Sequence, residues 1–174
     1  FVFFEVMLIA SYGLLLPGAR GERLSAGMHY VVFNIAASTL FLIALGLLYG
    51  LLGTLNMAEI AARIREVPPE NLAMVKAAVG LLLVVFCAKA ALLPMYLWLP
   101  ETYSRAPAAV AALFTIMTKV GLYALLRMGT LVLGDDAGLL AGFGRDTLLT
   151  FGMVTLVLGV LGVVGALRLR IAAA

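Results

Sequence analysis

Charge is scarce in this sequence. Only 12% of its 174 residues are Asp, Glu, Lys or Arg, while 64% are hydrophobic; a soluble domain carries about 25% charged residues. Too little polar surface remains to cover a water-soluble globule. A soluble enzyme and a disordered chain are therefore excluded. Cysteine is scarcer still. Cys87 stands alone within an apolar run, which excludes a disulfide framework and a thiolate metal site. The single His29 has no partner at a ligand spacing. The net charge of +3 is spread thinly, with no cluster of four Lys or Arg and no basic–aromatic interleaving, so nucleic acid is excluded as a partner. A mild basic excess suits loops facing anionic lipid headgroups.

What is present is long apolar sequence. A mean hydropathy of +1.14, with 18 glycines and eight methionines, fits an integral membrane protein, since small residues let helices approach closely. Five runs suit bilayer-spanning helices: roughly Phe1 to Leu16, Gly27 to Leu52, Asn71 to Leu93, Pro107 to Leu133 and Thr147 to Leu167. The third is interrupted by Pro94 and followed by Met95 to Pro100. Most charges lie in the connections. Between the second and third runs, Ile60, Ile64 and Val67 alternate with Glu59, Arg63, Arg65 and Glu66, which predicts a short amphipathic helix over Asn56 to Glu66 along the interface. Gly46 with Gly50, and Gly162 with Ala166, have the spacing of helix-packing pairs. The opening Phe1-Val2-Phe3-Phe4-Glu5 is already apolar and has no basic leader, so the chain reads as an internal segment rather than a signal peptide. Residues 1–174 form one transmembrane region, an all-α polytopic bundle with one proline-broken helix.

Three ionisable residues fall inside these runs: Glu5, Lys89 and Lys119. A charge at the bilayer centre costs about 2.5–3.5 kcal/mol on insertion scales, so such residues face protein or a water-filled cavity. At about 1.5 Å per residue, Glu5 lies about 18 Å before Pro17, Lys119 about 18 Å after Pro107, and Lys89 at most about 16 Å before Pro100. In a hydrocarbon core about 30 Å thick, all three occupy one middle layer. A carboxylate and two amines at common depth are the parts of a proton relay; a static ion pair of Glu5 with one lysine is the plainer alternative.

Pro94 and Pro100 each remove a backbone donor and disturb the preceding turn, predicting a helix break beside Lys89. Broken helices carrying ionisable groups mark ion sites in transporters. Ser11, Asn34, Ser38, Thr115 and Thr118 sit at helical spacing from these charges and are candidate polar lining, although ordinary interhelical hydrogen bonds account for each equally well. Tyr96 and Trp98 beside the second proline read as an aromatic interface anchor, and His29 as interfacial.

At these residues the sequence resembles a known family. Phe3-Phe4-Glu5-Val6-Met7, Gly53-Thr54-Leu55-Asn56-Met57-Ala58, Ala88-Lys89-Ala90-Ala91-Leu92-Leu93-Pro94 with Trp98-Leu99-Pro100, and Thr118-Lys119-Val120-Gly121-Leu122-Tyr123-Ala124-Leu125-Leu126-Arg127 follow in order. Together they look like the antiporter-like membrane subunits, and most like the D-type subunits of Mrp cation/proton antiporters, which are related to membrane subunits of proton-pumping NADH:quinone oxidoreductases. The resemblance covers nearly the whole chain. It implies that Glu5 and Lys89 form a coupled pair, that Lys119 passes the proton onward, and that the segment belongs to a larger fold of two inverted repeats. Ala108 and Ala111 stand where relatives often carry Ser or Thr, and Arg168-Leu169-Arg170 lacks the acidic residue of the usual connector.

The expected function is proton translocation in a multi-subunit Na+/proton antiporter of a bacterial cytoplasmic membrane, with other membrane subunits as partners and no cofactor or metal. A membership of a proton-pumping redox complex and an inert membrane anchor are the competing readings.

Overall fold

The computed structural model describes residues 2–15 and 21–166. Pro17, Arg20, Leu167, Arg168 and Arg170, which figure in the sequence reading, lie outside the described residues. Those described form helices α1 (Val2–Leu15), α2 (Glu22–Leu52), α3 (Met57–Arg63), α4 (Leu72–Lys89), α5 (Trp98–Arg105), α6 (Ala108–Arg127) and α7 (Arg145–Gly165). Four stretches are long and apolar enough to cross a membrane: Leu24–Leu52, Leu72–Lys89, Ala108–Val132 and Gly138–Gly165; Glu5–Leu15 is a shorter apolar helix. The expected all-helical bundle is what the chain forms.

Local chemistry sets the helix ends. Gly53 closes α2 in a left-handed conformation at φ 70°, with its N–H donating to the Tyr49 carbonyl, a geometry that glycine adopts without steric cost. The Asn56 side chain then caps α3 by accepting from the Ala58 N–H at 3.0 Å. Arg63 ties this short helix back to α2, donating to the Leu52 carbonyl and to Glu59. The amphipathic segment is therefore a helix followed by the 3-10 turn Ile64–Glu66. Its buried Ile60 and Ile64 pack into the bundle core rather than lying in the lipid interface.

Two apolar clusters hold the bundle. One joins Phe41, Ala44 and Leu48 of α2 to Ile60 and Ile64, to Val75, Ala78, Val79 and Leu82 of α4, and to Leu125 of α6. The other joins Leu8 and Leu15 of α1 to Tyr30 of α2 and to Val110, Phe114 and Met117 of α6. Burial of each large apolar side chain contributes about 1.5–3 kcal/mol in water; between helices already in lipid, close packing and hydrogen bonds take over.

The helix break differs from expectation. α4 ends at Lys89, not Leu93, and Ala91 adopts a left-handed φ of 54°. Pro94 carries no N–H to continue the ladder and disfavours helical backbone at the residue before it. The freed groups find other partners: the Leu92 N–H reaches Cys87 O at 2.9 Å, and the Leu93 N–H donates to Thr155 Oγ1 of α7 at 2.8 Å. Pro100 is not a second break. It lies in the first turn of α5, where a missing donor costs nothing because that N–H has no intrahelical acceptor. The Tyr96 carbonyl accepts from the Leu99 N–H at 2.9 Å.

The packing glycines are also placed otherwise. Among the described residues, a Cβ at Gly46, Gly50 or Gly162 would meet nothing within 4 Å. The close approach occurs at Gly121 of α6. A Cβ there would stand 2.7 Å from Ala90 N and 2.8 Å from Lys89 C, so α6 lies directly on the broken end of α4.

Candidate functional site

Ser38 lies near the midpoint of α2, about 24 Å of helix from its start and about 21 Å from its end at 1.5 Å per residue. Its hydroxyl donates to Glu5 Oε2 at 2.5 Å and accepts from Lys89 Nζ at 3.0 Å. Lys89 Nζ also lies 3.3 Å from Glu5 Oε1. Three helices thus deliver an acid, a hydroxyl and an amine to one point beside the middle of α2. The Lys89 side chain is 4% exposed and that of Glu5 21%, so the lysine is enclosed while its counter-ion borders open space.

That space is a cavity of about 280 Å³ bounded by Glu5, Lys89, Val120, Tyr123, Ala124 and Arg127. It extends from the pair towards the α6 end where Arg127 donates to the Tyr123 hydroxyl at 3.1 Å. On the side of the second apolar cluster, a void of about 10 Å³ touches Lys89, Tyr30, Asn34 and Trp98. That is close to the room one water needs. Lys89 sits between the two spaces.

The remaining expected lining divides. Ser11 and Asn34 are buried near the small void. Ser11 Oγ donates to Leu8 O and shares a 2.8 Å hydrogen bond with the Tyr30 hydroxyl; Asn34 Nδ2 donates to Tyr30 O at 2.9 Å. Thr118 is buried and donates to Thr115 O, whereas Thr115 is exposed and donates to Ala111 O. Lys119 is exposed and outside the cluster. It precedes Gly121 by two residues, about 200° around a helix of 3.6 residues per turn. With Gly121 against Lys89, the two lysines stand on opposite sides of α6.

Trp98 is not an interface anchor. Its indole is half-buried, donates to Ala88 O at 3.2 Å, and packs against Tyr30, Phe33 and Tyr103. It wedges the broken segment against α2. His29 is exposed and lies 4.0 Å from Glu101. Sequence reasoning missed Tyr30, Gly121 and Thr155. The only signals available were a glycine two residues after Lys119 and a hydroxyl within the apolar run of α7.

Outside the spans, Glu59 has its carboxyl held below the usual carboxylate range. The Thr54 hydroxyl bonded to it at 2.7 Å is the main cause, and Arg63 adds to it. Among the described residues, no group of three His, Cys, Asp or Glu side chains is placed to hold a metal ion.

A polytopic bundle of long apolar helices, with an enclosed acid–amine pair at a helix break, is the architecture of an integral membrane protein. The chain belongs to the NADH:quinone oxidoreductase/Mrp antiporter transmembrane family, which matches residues 1–170. It is 46% identical over 166 residues to the D subunit of a probable K+/H+ antiporter of Rhizobium meliloti, covering 95% of this chain and 31% of that protein. It is 43% identical over 165 residues to the D subunit of the Na+/H+ antiporter of Alkalihalophilus pseudofirmus, covering 94% of this chain and 32% of that protein. The chain thus spans about a third of the length of these relatives. Among solved structures, a chain of the Mrp complex from Dietzia matches with a TM-score of 0.85 at 32% identity, covering 99% of this chain and 32% of that one. A chain of an archaeal membrane-bound sulfane sulfur reductase matches with a TM-score of 0.87 at 28% identity, covering 99% of this chain and 34% of that one.

Proposed function

We propose that this chain is the proton-handling part of a cation/proton antiporter subunit, with Lys89 as the central proton carrier, Glu5 as its modulator and Lys119 as the onward relay. The observation that carries this reading is the enclosed Lys89 ammonium, 3.3 Å from the Glu5 carboxylate where α4 breaks. A buried cation needs its counter-ion, because an unpaired charge in a low dielectric is strongly disfavoured. Joining the pair therefore holds one proton within it, and parting it drives the proton off Lys89. Glu5 and Arg127 both border the larger cavity, and in this reading that cavity is the path by which water reaches the pair. Lys119 faces away from this chain's own core and receives the proton at a surface completed by other parts of the protein.

Sodium is the expected coupled ion, the partners are other membrane subunits, and the site of action is a bacterial cytoplasmic membrane. A place in a respiratory complex is the second reading. The likeness to the sulfane sulfur reductase chain supports it, but at 28% identity against 46% and 43% for the antiporter subunits.

The test is Lys89→Ala in the full-length protein within its complex, reconstituted in vesicles. Proton flux should fall at least tenfold while the subunits still co-purify. Full flux from an assembled Lys89→Ala complex would remove the carrier role. Lys119→Ala should also stop flux. Because Lys119 touches neither Glu5 nor Lys89 here, that loss would not come from a broken pair.

A further inference from the structure

Hydroxyl groups inside these helices mostly donate to their own backbone one turn back. Thr39 donates to Ile35 O, Thr115 to Ala111 O and Thr155 to Phe151 O. Ser38 departs from that habit. Its proton goes to the Glu5 carboxylate, and its oxygen takes a proton of the Lys89 ammonium. The two links, 2.5 and 3.0 Å, are both shorter than the direct 3.3 Å approach of Lys89 Nζ to Glu5 Oε1. The first lies in the range of a charge-assisted O–H···O bond, the second in that of an ordinary N–H···O bond.

We propose that Ser38 is the proton bridge between Lys89 and Glu5, so that the pair exchanges its proton through the serine hydroxyl rather than directly. The inference rests on the carrier role of Lys89. In the step, one N–H bond of the Lys89 ammonium breaks as a new O–H bond forms on Ser38 Oγ. The original Ser38 O–H bond breaks as one forms on Glu5 Oε2. The products are a neutral amine, a neutral carboxylic acid and an intact hydroxyl now donating to Lys89 Nζ. No charge is left stranded, since the ammonium and carboxylate neutralise each other. Before a second transfer in the same direction, the hydroxyl must rotate back towards Glu5. Each rotation therefore admits one proton. Among the standard side chains only Ser, Thr and Tyr offer a neutral hydroxyl that both donates and accepts, and Ser is the smallest, suited to bridging two groups that already stand 3.3 Å apart.

The experiment compares Ser38→Ala, Ser38→Thr and Ser38→Cys in the full-length protein within its complex, with proton flux measured in vesicles and assembly by co-purification. Thr39→Val, which removes a hydroxyl one residue away that donates only to its own helix backbone, is the control. Ser38→Ala should lower flux at least tenfold, Ser38→Thr should restore it to within twofold, and Thr39→Val should leave it unchanged. If Ser38→Ala fails to assemble, Ser38→Cys decides. Its thiol is a weak donor and acceptor, so flux should fall severalfold, and full flux would overturn the bridge. Full flux in Ser38→Ala with flux lost in Lys89→Ala overturns the bridge and leaves the carrier standing. Full flux in both removes the carrier reading itself. Equal loss in Ser38→Ala and Ser38→Thr also overturns the bridge, because the hydroxyl would then not be what matters.

Discussion

Gly121 packs directly against the backbone of Lys89. A Cβ on Gly121 would meet Ala90 N at 2.7 Å, Lys89 C at 2.8 Å and Lys89 Cβ at 3.1 Å, and the first two are backbone atoms that cannot rotate aside. The close contact fixes α6 against the point where α4 stops, and so fixes where the Lys89 side chain starts.

Gly121→Ala should therefore damage both stability and transport. Overpacking of this kind costs about 1–3 kcal/mol, and the displaced Lys89 should lose its geometry with Glu5 and Ser38. Gly46→Ala, where the added methyl meets nothing within 4 Å, is the matched control. Thermal unfolding and flux of the two variants in the intact complex check this; equal behaviour would show that the close contact is immaterial.

Thr155 closes the break from the other side by accepting the Leu93 N–H. Thr155→Val keeps the shape and removes the acceptor. A backbone donor left unsatisfied away from water costs about 1–3 kcal/mol. Thr150, exposed and bonded along its own helix to Asp146 O, should tolerate the same change within about 0.5 kcal/mol. Denaturation midpoints in detergent separate the two.

Glu59 supplies a pH-dependent contribution at the α2–α3 corner. Its folded-state pKa is lowered, chiefly by the Thr54 hydroxyl. Its contribution is thus fully present above the unfolded carboxylate value of about 4.3 and is lost as pH falls through the lowered value. Thr54→Val should move the Glu59 midpoint upward, and it also removes the acceptor for the Asn56 N–H. Carboxylate titration followed by nuclear magnetic resonance reads the shift directly.

The pair itself was legible because ionisable residues are so few in the spans that Glu5 and Lys89 stand out, and counting from helix ends puts them at one depth. Depth says nothing about direction around a helix. Counting gives Lys119 the same depth, yet it points away from Lys89, with Gly121 on the intervening face. Proline likewise signals a missing donor without saying whether the donor was needed: Pro94 marks the break, whereas Pro100 begins a helix. Gly46 and Gly50 show the same ambiguity. Their spacing is right for packing, but only the assembled bundle determines which face is covered. Trp98 reads as an interface residue from composition and becomes an internal wedge because the break turns its indole towards Ala88 O.

The central claim is that Lys89 carries the proton rather than merely balancing Glu5. The double replacement Glu5→Gln with Lys89→Gln separates the two roles. In a structural pair, removing both charges together relieves the penalty that either single change creates, so assembly and proton flux should both return. In a carrier pair, neutral amides restore the packing but have no proton to pass. If Lys89 carries the proton, the double variant assembles fully and its proton flux stays at background. Flux restored to the level of the unaltered protein would contradict it.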